Sequence, residues 1–143
     1  MFGHPNATLV NNIDIEITLP EEKCAIGKVA TIDVGLKPKE TVWFRYAFFE
    51  LIFERKDKRS SGNQPTSRHR YFYRYNVEEV LENTADSKDF SFNVRIPTHK
   101  EPSRDDKFLN ITWSLLLKIV FSTSEQNKEL LYSEYKIDNV EVI

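Results

Sequence analysis

The chain has 143 residues and a formal net charge of −2, from 20 Lys and Arg residues against 22 Asp and Glu residues. This length supports one domain with a single hydrophobic core and is too short for two. The near balance of charge excludes a globally polycationic binder of nucleic acid or membranes. Hydrophobic residues make up 40% of the chain, so burial can offset the entropy lost on folding.

Cys24 is the only cysteine, which excludes an intramolecular disulfide and a cysteine-based zinc cluster and fits a reducing compartment. Residues 1–20 lack the charged and apolar regions of a secretory signal. The longest apolar run, from Leu115 to Phe121, is far shorter than the roughly 20 residues that span a bilayer. We therefore expect a cytoplasmic protein with a flexible N-terminus at residues 1–8 and one domain at residues 9–143.

Apolar and polar residues alternate with period two along most of the chain, as expected for strands with one buried face. Pro20, Pro38 and Pro97 end three of these runs, because proline cannot donate a hydrogen bond to a sheet. The seven predicted strands cover residues 13–19, 30–36, 42–55, 70–75, 90–96, 109–121 and 130–137.

Two segments depart from this simple alternation. The third predicted strand changes its apolar parity at Phe48 and Phe49, which predicts a β-bulge there or burial of both faces. Residues 76–83 place Val77, Val80 and Leu81 at helical spacing and predict one or two turns of helix.

Seven antiparallel strands without long crossover helices predict an all-β fold. The expected architecture is a two-sheet antiparallel β-sandwich of immunoglobulin-like type. A closed barrel is the alternative. No internal repeat or linker divides the chain, and the long polar connections lie at residues 56–67 and 98–107.

The sequence offers little for catalysis or for cofactor binding. It has only four glycines, too few for a phosphate-binding loop or a nucleophile elbow. The three histidines lie far apart without the spacing of metal ligands, and Cys24 beside Ala25 and Ile26 is typical of an inert, partly buried thiol. We predict that the protein is not an enzyme and that it uses no cofactor, metal or small-molecule substrate.

The segment from Arg55 to Arg74 has the most unusual composition, because it combines many cations and aromatic residues with the single acid Asp57. It is therefore the candidate binding site. Its candidate partner-binding residues are Lys56, Lys58, Arg59, Arg68, Arg70 and Arg74.

Several interpretations of this segment remain open. The cations fit docking to an acidic protein surface, and with the nearby aromatic residues they also fit RNA or an anionic membrane. The alternative is purely structural: in an alternating strand Tyr71, Tyr73 and Tyr75 would face the core, while Arg70 and Arg74 would form a solvated face.

Two further segments bear on protein docking. An acidic segment follows the basic one and fits either a partner contact or a charge offset inside the molecule; its acids are Glu78, Glu79, Glu82, Asp86 and Asp89. The strand predicted between Lys107 and Phe121 could pair with a partner at an exposed sheet edge. Its apolar residues at nearly every odd position favour a central, buried strand instead.

Three consecutive pieces of sequence resemble the arrestin-like pattern. A strand that ends in Ile96-Pro97 is followed by Pro102-Ser103 and then by a long alternating strand that contains Trp113. Within that superfamily, this Trp followed by a Leu and a cation is most similar to the arrestin-like subunit of a two-subunit exchange factor that activates a Golgi Rab GTPase. The resemblance covers roughly a quarter of the chain.

The resemblance implies a C-terminal-type arrestin sandwich and a non-enzymatic scaffold in a heteromeric trafficking complex at Golgi membranes. It carries over no catalytic residue. Arrestin-like proteins usually contain two β-sandwiches, whereas the strands of this sequence suffice for one. Two alternative functions remain: a cargo-sorting adaptor that binds peptide tails, and an RNA- or anionic-lipid-binding domain at residues 55–75. The sequence has no Pro-Pro-x-Tyr motif, by which many arrestin-related adaptors recruit ubiquitin ligases.

Overall fold

The computed structural model describes residues 7–20, 24–58, 66–83 and 87–143, and the regular elements in these ranges are strands. The strands are β1 (Thr8–Leu9), β2 (Ile13–Thr18), β3 (Val29–Pro38), β4 (Val42–Asp57), β5 (Thr66–Leu81), β6 (Lys88–Arg95), β7 (Arg104–Asp105), β8 (Leu109–Ser122) and β9 (Leu131–Ile137). The seven longer strands are the seven that the alternation predicts, so the all-β prediction is confirmed.

The strands form two sheets. The large sheet has the order β1-β9-β8-β4-β5, and β7 adds to β8; the small sheet has the order β2-β3-β6. The pairings are antiparallel except for the short parallel pair of β1 and β9. This architecture is the two-sheet, largely antiparallel β-sandwich that the sequence predicts.

The long strand β8 lies inside the large sheet, between β4 and β9. Its odd-numbered side chains from Leu109 to Phe121 are buried, because the pleat points each of them at the small sheet. The central placement predicted for this strand is confirmed, and β8 therefore offers no long free edge to a partner.

Aromatic rings fill the space between the two sheets. The ring of Phe49 stacks on Phe92 at a centroid distance of 5.0 Å, and Phe53 meets Trp113 edge to face at 4.9 Å. Trp113 has 0% of its surface exposed, and its indole Nε1 donates a hydrogen bond of 3.0 Å to the carbonyl of Glu101. The core role predicted for this tryptophan is confirmed.

Of the two local predictions, the helix is wrong and the first is right in one of its alternatives. Both faces of β4 are buried from Phe49 to Phe53, whereas the bulge lies elsewhere. The register of β4 shifts between Phe44 and Tyr46, two to five residues before the predicted bulge at Phe48 and Phe49. The side chains of Phe44 and Ala47 both face the core, so the change of parity occurs across Arg45. The predicted helix at residues 76–83 does not form, since residues up to Leu81 pair with β4 and their ladder outweighs a weak helical pattern.

The C-terminal residues return to the core. Val142 pairs with Cys24 in an isolated bridge, and the backbone N–H of Val140 donates to the carbonyl of Trp113 at 2.8 Å. Cys24 is buried, and this burial raises the pKa of its thiol. The thiol is therefore protonated and unreactive near neutral pH.

The domain boundaries stay a prediction. Within the predicted flexible N-terminus, Thr8 belongs to β1 and pairs with Leu131 of β9. Residues 1–6 lie outside the described residues. The hydrophobic residues buried between the two sheets form one cluster that draws on both of them.

Candidate functional site

The outer face of the large sheet, which points away from the small sheet, carries most of the predicted basic residues. Side chains of residues paired across a sheet point to the same side, so the registers of β4, β5 and β8 fix this face. We call it the basic face. Its members include the cations Lys56, Arg68, Arg70, Arg74 and Lys118, the apolar residues Phe48, Phe72 and Leu116, and the carboxylates Glu50 and Glu54.

Arg70 forms an ion pair with the most buried carboxylate of the basic face. Its Nε lies 3.2 Å from Oε1 of Glu50, whose side chain is only 5% exposed, while the side chain of Arg70 is 39% exposed. A buried carboxylate is costly unless a cation compensates it. Arg70 is thus committed to supporting the fold, which limits its availability to a partner.

The other two arginines of β5 do not form an ion pair with a buried carboxylate. Nε of Arg68 lies 3.8 Å from Oε1 of Glu54, and both side chains are well exposed. Exposed pairs of this kind contribute little to stability because solvent screens them. Arg74 donates to Oδ1 of Asn76 at 2.7 Å, and its guanidinium lies 3.9 Å from the ring centroid of Tyr46. Arg68 and Arg74 therefore remain able to meet an external anion.

Apolar residues between these cations are half-buried on the same face. The rings of Phe48 and Phe72 pack at a centroid distance of 5.6 Å, and Leu116 lies beside them on β8. No described strand packs over this face, since each described strand belongs to one of the two sheets. Half-buried apolar residues ringed by cations are typical of the surface of a protein interface.

Lys118 is a basic residue that the sequence argument missed. It is opposite Phe48 in the register, and its Nζ lies 5.2 Å from the ring centroid of Tyr132. The signal was available, because Lys118 has the opposite parity to the odd-numbered apolar residues of β8 that predict its buried face. Lys56 extends the same face towards the end of β4 and is exposed.

Lys58 does not join the basic face. Its Nζ lies 2.6 Å from Oδ1 of Asp105 and also donates to the carbonyl of Asp106 at 2.9 Å. It therefore ties the end of β4 to the turn before β8. Arg59 lies outside the described residues.

The three tyrosines of β5 point to the opposite side of the strand from the arginines. Tyr71, Tyr73 and Tyr75 pack against the core, and Tyr75 stacks on Phe90 at 4.7 Å. Burial raises the pKa of Tyr73. The structural part of the sequence interpretation is therefore confirmed: these aromatic rings belong to the core and offer no stacking platform to nucleic acid.

Two acids of the segment that follows the basic one, Glu78 and Glu79, are compensated by other residues, while Asp86 lies outside the described residues. Oε2 of Glu78 accepts hydrogen bonds from Nε1 of Trp43 at 2.6 Å and from Nη1 of Arg45 at 3.0 Å. These bonds lower the pKa of Glu78, the bond from Trp43 having the larger effect. Glu79 pairs with Lys88 at 2.7 Å. Neither carboxylate neutralises the basic face.

The outer face of the small sheet has the opposite charge. Asp14, Glu16, Asp33 and Asp89 line a shallow groove around Gly35. An added Cβ at Gly35 would lie 3.2 Å from Oδ1 of Asp89. The two outer faces of the sandwich thus differ in sign, which gives the molecule a defined electrostatic orientation.

The part of the chain that the structure describes holds neither a cluster of metal-ligating side chains nor a membrane-spanning helix. Within those ranges, no group of three or more His, Cys, Asp or Glu residues could hold a metal ion. The described residues also contain no helix with the length and hydropathy of a membrane span.

Comparison by sequence finds no family model and no curated protein that matches the chain. Comparison by structure finds the crystal structure of Spo0M, a sporulation control protein from Bacillus subtilis, with a TM-score of 0.62 and 11% sequence identity. The match covers 93% of this chain and 50% of the Spo0M chain, so this chain spans about half the length of that protein. The likeness establishes the shared fold.

The ion pair of Arg70 predicts unequal stability effects along β5. Arg70→Ala leaves the buried carboxylate of Glu50 without its cation, and we expect a loss of about 1–2 kcal/mol in the free energy of unfolding. Arg68→Ala removes only an exposed ion pair and should change the free energy of unfolding by less than about 0.5 kcal/mol. Urea denaturation of both variants measures the difference, and equal effects would contradict the assignment of Arg70 to the fold.

The turn that holds Lys58 predicts a titration at low pH. The carboxylate of Asp106 accepts hydrogen bonds from the backbone N–H of Leu109 and of Phe108 and from Arg104, and these lower its pKa from 3.8 to about 2. A lowered pKa contributes stability above pH 4 that is lost as the pH falls towards 2.

Carbon-13 NMR should therefore show the Asp106 carboxyl titrating near pH 2. Asp106→Asn should flatten the fall in the free energy of unfolding between pH 4 and pH 2. A midpoint near 3.8 for this carboxyl would contradict the turn geometry.

Proposed function

We propose that the protein is a non-enzymatic interaction module, an arrestin-like scaffold that binds a partner protein through the basic face. The observation that carries the proposal is the outer face of the large sheet, which no described strand covers. On this face Arg68, Arg74 and Lys118 surround half-buried apolar residues. An acidic, partly apolar surface on a partner would complement it.

The arrangement of the aromatic rings favours protein over nucleic acid. Single-stranded nucleic acid needs open ring faces on which its bases can stack. The ring of Tyr46 is buried beneath Arg74, and the rings of Phe48 and Phe72 pack against each other. Glu50 and Glu54 also offset part of the positive charge that phosphates would require.

The finer proposal is a role in intracellular membrane trafficking. It rests on the sequence resemblance at residues 89–115, and it makes the protein a subunit of the exchange complex that activates a Golgi Rab GTPase. In this role the chain contributes binding and its partner subunit contributes catalysis. The proposed location is the cytoplasm, at the periphery of Golgi membranes.

Affinity capture from eukaryotic cells tests the proposed function. The variant Arg68→Glu/Arg74→Glu reverses the charge of the two arginines that do not pair with a buried carboxylate. Since Arg70 is unchanged, the fold should persist. The matched control is Lys28→Glu/Lys107→Glu, which makes the same change in net charge at exposed lysines elsewhere. We expect a stoichiometric partner whose recovery falls at least about tenfold in the arginine variant and is retained in the control.

Three results would count against this function. Equal recovery from both variants would remove the basic face from the interface. Retention that is abolished by RNase would favour the RNA-binding alternative. Flotation with anionic vesicles, lost only in the arginine variant and without a protein partner, would favour a lipid contact. Recovery of a Golgi Rab exchange subunit would support the finer proposal.

A further inference from the structure

The free edge of β5 is the longest unpaired sheet edge among the described strands. β5 ends the order of the large sheet, has 16 residues and pairs with β4 along one side only. An unpaired edge presents backbone N–H and C=O groups that can form a ladder with an added strand.

The C-terminal half of β5 contacts the small sheet through side chains on its core-facing side. Tyr75 stacks on Phe90, Glu79 pairs with Lys88, and Tyr73 is hydrogen-bonded to the backbone of Arg95. The residues of β5 in these contacts with β6 begin at Tyr73. In the N-terminal half, the residues from Ser67 to Arg70 are all exposed.

The basic residues on this strand decide which partner strand it accepts. Arg68, Arg70 and Arg74 lie at alternate positions on the outer side of β5, with Phe72 between them. If the edges of two copies paired, cations would oppose cations, which is unfavourable. A strand with carboxylates on its outer side would place them beside Arg68 and Arg74, since directly opposed side chains are about 5 Å apart.

We propose that the edge of β5 between Ser67 and Arg74 binds an extended acidic segment of the partner protein as an added β-strand. The inference rests on the proposed function and specifies its ligand: acidic residues at alternate positions, with an apolar residue opposite Phe72. Backbone hydrogen bonds would supply affinity, and the arginines would select an acidic strand over a second copy of this chain.

A synthetic peptide and backbone methylation test the proposal. The probe is a nine-residue peptide with Glu at its second, fourth and eighth positions, Val at the sixth and Thr elsewhere. These positions match the three arginines and Phe72 of β5. The peptide is also made with the reverse sequence, so that both parallel and antiparallel addition are tested. A peptide of the same composition with its three Glu residues adjacent is the control for charge. Two methylated versions carry N-methyl groups on alternate amides, one in each phase, so that only one phase blocks the ladder with β5.

The expected result has three parts. The alternating peptide should bind more tightly than the control peptide in at least one order. Hydrogen exchange should slow at those amides of residues 67–72 that point away from β4, because the others already lie in the ladder with β4. Methylation in one phase should weaken binding at least about tenfold, because the ladder loses its donors, while the other phase should not. Arg68→Glu/Arg74→Glu should abolish binding that Lys28→Glu/Lys107→Glu retains.

The alternative outcomes separate this inference from the proposed function. Binding that tolerates methylation in both phases places the peptide on the flat face and overturns the strand addition. Absence of peptide binding, with a captured partner that still depends on the arginines, overturns the strand addition and leaves the proposed function in place. Methylation-sensitive peptide binding without any arginine-dependent partner would support the edge site and overturn the scaffold function.

Discussion

The pairing of β4 with β8 is the interaction on which the rest of the structure depends. These two strands lie side by side in the middle of the large sheet, and their core-facing side chains, from Phe49 to Phe53 and from Ile111 to Phe121, are almost fully buried. Their aromatic and aliphatic side chains pack directly against the small sheet. Since each strand has a period of two, fixing this buried face also fixes the identity of every residue on the opposite face.

The basic face is therefore a consequence of the core. Once Tyr71, Tyr73 and Tyr75 are drawn inwards, Arg68, Arg70 and Arg74 must point outwards, where they meet Lys118 from β8. Individual cations on this face nevertheless have different roles. Arg70 compensates a buried carboxylate, whereas Arg68 and Arg74 do not. The number of cations counted from the sequence therefore overstates the number that are free to bind a partner.

The alternation of apolar and polar residues predicted the strands well. Local residue spacing predicted poorly those features that depend on which strands pair with each other. The helix expected at residues 76–83 was lost because β4 supplies a ladder partner as far as Leu81. The register shift beside Arg45 and the placement of Lys58 beside Asp105 depend on partners distant in sequence, which a linear pattern does not contain. Lys118 was recoverable from parity alone, but the buried ion pair of Arg70 required knowing that Glu50 lies next to it.

We expect the partner to bind the outer face of the large sheet and not the acidic face of the small sheet. Hydrogen–deuterium exchange of the free chain and of the purified complex compares the two faces directly. We expect slower exchange in β4, β5 and β8 of the complex, with exchange in β2 and β6 unchanged. Protection confined to β2, β3 and β6, around Asp14 and Asp89, would contradict it.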